Sequence, residues 1–274
     1  MREAPQPIRA GDSGRLPVLF VSHGSPMVAL ETDDYTQALE GWARTVPRPA
    51  AIVVVSAHWQ APRPVRVATS PAPATIHDFY GFPPELYALR YAPPGAPGLA
   101  SEIIARLRDA DIEAEADPGR GLDHGAWVPL RFLYPGAEVP VVAVSLSAPA
   151  RPRDLLALGR ALTPLRTARI LVFGSGGVVH NLGRLDRRGE SAPVTGWAQA
   201  FDDWVRDRLE AGDVDGLASY ERLAPQASLA VPTSEHFDPL LVAIGAAAGD
   251  GRVRDVYAGF RFGSLSMRSF TLSP

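Results

Sequence analysis

Short unbroken apolar runs alternate along the chain with stretches whose apolar positions recur every three or four residues. The runs at 17–22 (PVLFVS), 51–57 (AIVVVSA), 139–147 (VPVVAVSLS) and 168–176 (ARILVFGSG) predict strands buried on both faces. Between them, YTQALEGWARTV places Leu39, Trp42, Ala43 and Val46 on one helical face, and GLASEIIARLRDA does the same with Ile103, Ile104 and Leu107. Further helices are predicted in AWVPLRFLY, in RPRDLLALGRALTPL, in VTGWAQAFDDWVRDRLEAG up to Gly212, and in HFDPLLVAIGAAAG. The C-terminal VYAGFRFGSLSMRSFTLS alternates with period two around Gly263 and predicts a hairpin of strands. Alternating strands and helices imply an α/β fold: one domain, residues 16–274, with a central mostly parallel or mixed sheet flanked by helices. Residues 1–15 are polar and rich in Pro and Gly, and read as a flexible tail. The clusters APRPV, SPAPAT and YAPPGAPG mark loops.

Histidine placement changes the picture from fold to chemistry. His23 in LFVSHGSP, His58 in VVVSAHWQ and His180 in FGSGGVVHNL lie just beyond the carboxyl ends of predicted strands. On a parallel sheet those ends share one rim, where α/β folds build their sites. His124 (GLDHGAW) and His236 (PTSEHFDP) sit in loops that lead into apolar helices, and His77 lies in the aromatic loop TIHDFYGFP. A single strand-end histidine is more often a hydrogen-bonded structural residue than a ligand. Five in similar settings favour a shared site, and imidazole suits zinc, copper and non-haem iron. Gly24, Gly125 and the Gly174–Gly177 cluster let the backbone turn or approach a ligand closely.

Composition narrows the classes. The chain has 274 residues, no cysteine and a formal net charge of -3. Disulfides, thiolate metal sites and cysteine nucleophiles are excluded, so a metal must be held by histidine, carboxylate or carbonyl groups. Nothing in the charge suggests nucleic acid or a membrane surface as partner. No apolar stretch approaches the roughly 20 residues of a membrane span, and no secretory run opens the chain, so the cytoplasm is the default location. GSGG lacks the Lys-Ser/Thr of a P-loop, and HGSP is not a G-x-S-x-G elbow.

Six motifs in order, SHGSP, SAHW, HDFYGFP, LDHGAWVPL, GSGGVVHNL and PTSEHFDPL, resemble those of the class III extradiol ring-cleavage dioxygenases, in the branch similar to DOPA 4,5-dioxygenase. The resemblance runs from about Leu16 to the C-terminus. It implies His23 and His58 as metal ligands. The third ligand would come from SEH: a carboxylate in the wider superfamily, a histidine in this branch, hence His236 with Glu235 as its rival. It implies His180 as catalytic acid/base and His124 as a neighbour that hydrogen-bonds substrate or oxygen. His77, Asp78 and Tyr80 would shape the substrate pocket. The implied cofactor is iron(II), with zinc able to occupy the site in the isolated protein and His180 then serving as a fourth ligand. The implied partners are a small-molecule catechol (DOPA, caffeate or a related catecholic acid) and dioxygen, and a homo-oligomer stays open.

Other residues keep two readings. Trp59 and Trp127 wall the pocket or belong to the core, and Trp197 and Trp204 belong to core or interface. Ser175 contacts substrate or serves a turn. Arg268 binds a substrate carboxylate or faces solvent. Two rival functions use the same histidines: a zinc hydrolase of amides or esters with Glu235 as base, and a non-catalytic binding module. The absence of an H-E-x-x-H helix weighs against the first. The presence of all five expected histidines weighs against the second.

Overall fold

The computed structural model describes residues 14–248 and 250–274. Ten strands occur among them: β1 (Val18–Ser22), β2 (Ala51–Ala61), β3 (Val65–Ala68), β4 (Ala114–Asp117), β5 (Val141–Ser147), β6 (Ile170–Gly176), β7 (Arg252–Tyr257), β8 (Phe260–Arg261), β9 (Leu265–Ser266) and β10 (Ser269–Ser273). Eight form one mixed sheet in the order β4-β3-β5-β2-β6-β1-β10-β7. The centre, β5-β2-β6-β1, is parallel. β10 runs antiparallel between β1 and β7, and β3 runs antiparallel to β5. The sheet therefore presents the carboxyl ends of β2, β6 and β1 side by side.

The apolar runs are buried on both faces, as their unbroken hydrophobicity requires. Val18, Phe20, Val53 and Val55 join one core, and Leu19, Val21, Ile52 and Val54 join the other. The first core is covered by the helices Pro97–Asp109, Pro152–Leu162, Gly196–Glu210 and Asp238–Ala246, the second by Asp34–Thr45 and His124–Leu133. Asp33 caps the helix Asp34–Thr45 by accepting from the Thr36 N–H, and the Thr36 hydroxyl accepts from the Asp33 N–H. No described helix is long and apolar enough to cross a membrane.

Three differences from the sequence reading bear on the site. β2 does not stop before His58. It continues to Ala61, and its pairing with β5 slips between Val55 and Gln60, so His58 lies in an irregular stretch of strand. β3 begins at Val65, inside a stretch that reads as loop, and four-residue β4 was not predicted; both are short strands on one side of the sheet. The C-terminal hairpin turns at Gly263 (φ +69°) but pairs only β8 with β9, while β10 returns to the main sheet beside β1. The predicted tail lies outside the described residues apart from Gly14 and Arg15, and the Arg15 guanidinium stands 3.3 Å from Asp250.

Candidate active site

His23 follows the last residue of β1, and its backbone N–H donates to the Gly176 carbonyl at the end of β6 (3.1 Å). His236 is brought to the same rim by a backbone clasp. The Gly177 N–H donates to the His236 carbonyl (2.8 Å), and a Cβ on Gly176 would fall 2.0 Å from that oxygen. Only glycine fits at 176. His58 reaches inward from the irregular part of β2. The three ring centroids are 4.9, 5.3 and 5.0 Å apart, and one nitrogen of each lies within 4.8 Å of the other two.

Hydrogen-bond accounting fixes which nitrogens face inward. The Ser175 hydroxyl donates to the Gly125 carbonyl (2.5 Å), so its oxygen must accept from His23 Nδ1, 2.9 Å away. His58 Nδ1 lies 3.4 Å from Asp78 Oδ2, and His236 Nδ1 lies 3.2 Å from Glu235 Oε1. Each ring thus has an oxygen behind its Nδ1, which favours the proton on that side and the lone pair on Nε2. His23 Nε2 and His58 Nε2 stand 3.0 Å apart. With both protons on Nδ1, two lone pairs meet there, an arrangement that suits a cation. Burial, reinforced by the neighbouring rings, lowers the His23 imidazole well below its ordinary value and lowers His58 to about 2. His23 and His58 are therefore neutral at physiological pH, the form that binds a metal. The donor set fits iron(II) or zinc.

Two more histidines flank this trio. His124 stands with its ring 4.0 Å from that of His58, and His180 stacks on His236 with centroids 3.5 Å apart. His180 is lowered to about 3, first by burial and then by His236. Its ring nitrogens have no hydrogen-bond partner among the described residues. Asp78 accepts the His124 N–H (2.9 Å) and faces His124 Nδ1 (3.0 Å). Burial works to raise the Asp78 carboxyl, but the bonds from His124 outweigh it and hold the group at about 2. Glu235 is also at about 2, chiefly through His236.

The other sequence candidates fall in varied places. Geometry groups His236 with His23 and His58, while Glu235 sits behind it with His180. His180 forms a second group with Glu235 and His236, sharing His236 with the trio. Ser175 is neither in a turn nor exposed to a ligand; it is wholly buried within β6, and its hydroxyl is committed to His23 and Gly125. Tyr80 is 92% exposed, whereas His23, His124 and His236 are buried. Trp59 is buried with the Arg120 guanidinium 4.8 Å above its ring, and Trp127 is buried with its indole N–H on the Ile76 carbonyl. His77 lies 3.1 Å from the Leu89 carbonyl and packs among Phe79, Tyr87 and Trp127. Trp197 and Trp204 pack against the first core. Arg268 is neither solvent-facing nor free for a substrate: it is buried and paired with Asp202 and Asp255.

Sequence reasoning missed Asp123, Ser56, Arg120 and Phe79. Asp123 caps the helix that carries His124, accepting from the Ala126 N–H, and also receives the Ser56 hydroxyl (2.6 Å) and Arg120 (2.5 Å). An Asp just ahead of the predicted helix AWVPLRFLY was a readable cap signal, although the helix in fact starts earlier, at His124. The other three become neighbours only in the fold.

The mixed sheet thus carries this histidine trio at the rim of its parallel centre. The family model described as the catalytic LigB subunit of aromatic ring-opening dioxygenase matches residues 17–264, and the chain belongs to that family. The 4,5-DOPA dioxygenase extradiol of Escherichia coli (strain K12) is 39% identical, with 94% of each chain covered. The protein of the same name from Beta vulgaris is 37% identical, covering 92% of this chain and 94% of its own. A crystal structure of an uncharacterized Escherichia coli K12 protein matches with a TM-score of 0.81 at 35% identity, covering 94% of this chain and 100% of that one. The chain is an extradiol aromatic ring-opening dioxygenase. None of these relatives is named as a hydrolase.

Proposed function

We propose that the chain holds one iron(II) ion through Nε2 of His23, His58 and His236 and opens the ring of a catecholic acid such as DOPA or caffeate with dioxygen. The observation that carries this reading is the convergence of three Nδ1-anchored imidazoles with their lone pairs inward. Three ligands on one face leave adjacent positions open, and bound iron(II) supplies there a centre where catechol oxygens and dioxygen meet. The relatives named for 4,5-DOPA support a catechol with an amino-acid or carboxylate side chain.

The chain's own residues handle the protons. His180 is neutral and carries no competing hydrogen bond, so it accepts a proton from a catechol hydroxyl and later returns it. His124 donates its Nδ1–H to Asp78 in a hydrogen bond and presents Nε2 to accept from a substrate hydroxyl. The test is oxygen uptake. Protein loaded anaerobically with iron(II) is mixed with DOPA, caffeate, protocatechuate or catechol and then exposed to air. One oxygen consumed per substrate, with a new yellow chromophore, is expected for at least one catecholic acid. An iron-loaded protein that consumes no oxygen with any of them overturns the proposal.

A further inference from the structure

We infer that Asp78 is a positioning residue that sets the tautomers of two histidines at once, His58 and His124. The inference rests on the reading of His23, His58 and His236 as metal ligands. One carboxylate oxygen, Asp78 Oδ2, lies 3.0 Å from His124 Nδ1 and 3.4 Å from His58 Nδ1. The other, Oδ1, accepts the His124 backbone N–H at 2.9 Å. The loop that carries Asp78 is pinned on one side: the Trp127 indole donates to the Ile76 carbonyl and the Ile76 N–H to the Leu122 carbonyl. Phe79 packs edge-on against the His124 ring, with centroids 5.7 Å apart. The carboxylate is therefore held where both rings must meet it.

An ionised carboxylate only accepts, so His124 Nδ1 donates to it, and the negative oxygen 3.4 Å from His58 Nδ1 favours that ring's proton on the same side. His58 then turns a lone pair toward His23, and His124 turns one toward the open site. The two rings are linked through this single oxygen. Loss of the acceptor removes the fixed orientation of a ligand and of its neighbour together. Groups behind metal-ligating histidines typically govern affinity by 10- to 100-fold.

Asp78→Asn separates this role from a merely structural one. The amide has the same shape, but it must turn its NH2 either to the two Nδ1–H groups or to the His124 backbone N–H. In the first case donor meets donor unless His124 and His58 move their protons to Nε2, which closes both lone pairs. In the second, one backbone N–H is orphaned and the rings keep their acceptor, so a tautomer readout tells the two apart. Zinc(II) affinity is measured by chelator competition on the wild type, Asp78→Asn, Asp78→Ala, Asp78→Glu and His58→Ala. Imidazole 15N shifts are recorded on the metal-free forms, and circular dichroism checks the fold. The wild type is expected to bind one zinc and His58→Ala to lose it. Asp78→Asn and Asp78→Ala are expected to bind roughly 10- to 100-fold more weakly, with His58 losing its Nδ1–H form, and Asp78→Glu to recover part of the affinity. A folded Asp78→Ala with wild-type affinity and an unchanged His58 tautomer overturns the Asp78 inference and leaves the ligand reading standing, and so does an Asp78→Asn protein whose His58 loses its Nδ1–H form without any loss of affinity. A wild type that does not bind one zinc, or a His58→Ala protein that binds like wild type, overturns the ligand reading and this inference with it.

Discussion

Ser175 shows how a buried hydroxyl governs a metal ligand. Its proton goes to Gly125 and its lone pair receives His23. Ser175→Ala leaves the His23 Nδ1–H without a partner inside the protein, a loss of about 1–3 kcal/mol. The expected result is a lower melting temperature and weaker metal binding, read by thermal denaturation and chelator competition. His180→Ala should behave differently. It keeps its full metal content and loses about 10²- to 10⁴-fold in turnover, measured as metal per chain beside oxygen uptake. A His180→Ala protein with full turnover contradicts the proton role. The histidines themselves were legible because strand-end imidazoles are rare and can be inspected one by one. Arg268 was not legible. Period two left its direction open and could not show that Asp202, 66 positions away in sequence, closes on it.

Two close approaches of backbone to side chain hold the elements at the rim. A Cβ on Gly125 would meet the Ser56 hydroxyl at 2.5 Å and the His58 ring at 3.0 Å. Gly125→Val therefore pushes the helix His124–Leu133 off β2. It is expected to destabilise the protein by about 1–3 kcal/mol and to weaken metal binding through displaced His58, which urea denaturation and metal titration read together. The buried strands β1, β2, β5 and β6 were legible because burial on both faces demands unbroken apolar runs. β3 and β4 were not. They are four residues long and place Arg66 and Glu115 opposite each other, an ion pair that hides the strand pattern in sequence. The end of β2 was misread for a related reason. A run of apolar residues stops at Val55, but the hydrogen-bonded strand continues through a slipped register that only the partner strand β5 defines.

At the scale of the molecule, the neutral histidines make stability depend on pH and metal. His23, His58 and His180 have folded-state values below the unfolded value, so below pH 6.5 the unfolded chain takes up protons that the folded rings refuse. Metal-free stability is therefore full above pH 6.5 and falls as pH drops toward 3, by at most about 1.4 kcal/mol per ring and pH unit. Asp238, which burial raises to about 7, works in the opposite direction as a single group and offsets one ring. Urea melts of the metal-free protein at pH 7 and pH 5 should show the lower midpoint at pH 5; equal midpoints contradict the burial of neutral rings. Saturating metal at 100 times its dissociation constant adds about 2.7 kcal/mol.

The most direct test of the histidine trio is a crystal structure of the iron- or zinc-loaded protein with anomalous data collected at the metal edge. One peak is expected, about 2.0–2.2 Å from Nε2 of His23, His58 and His236, with His124 and His180 beside it and unligated. A peak held instead by Asp78 and His124, or by Glu235 and His180, or no peak at full loading, contradicts the assignment of the three ligands.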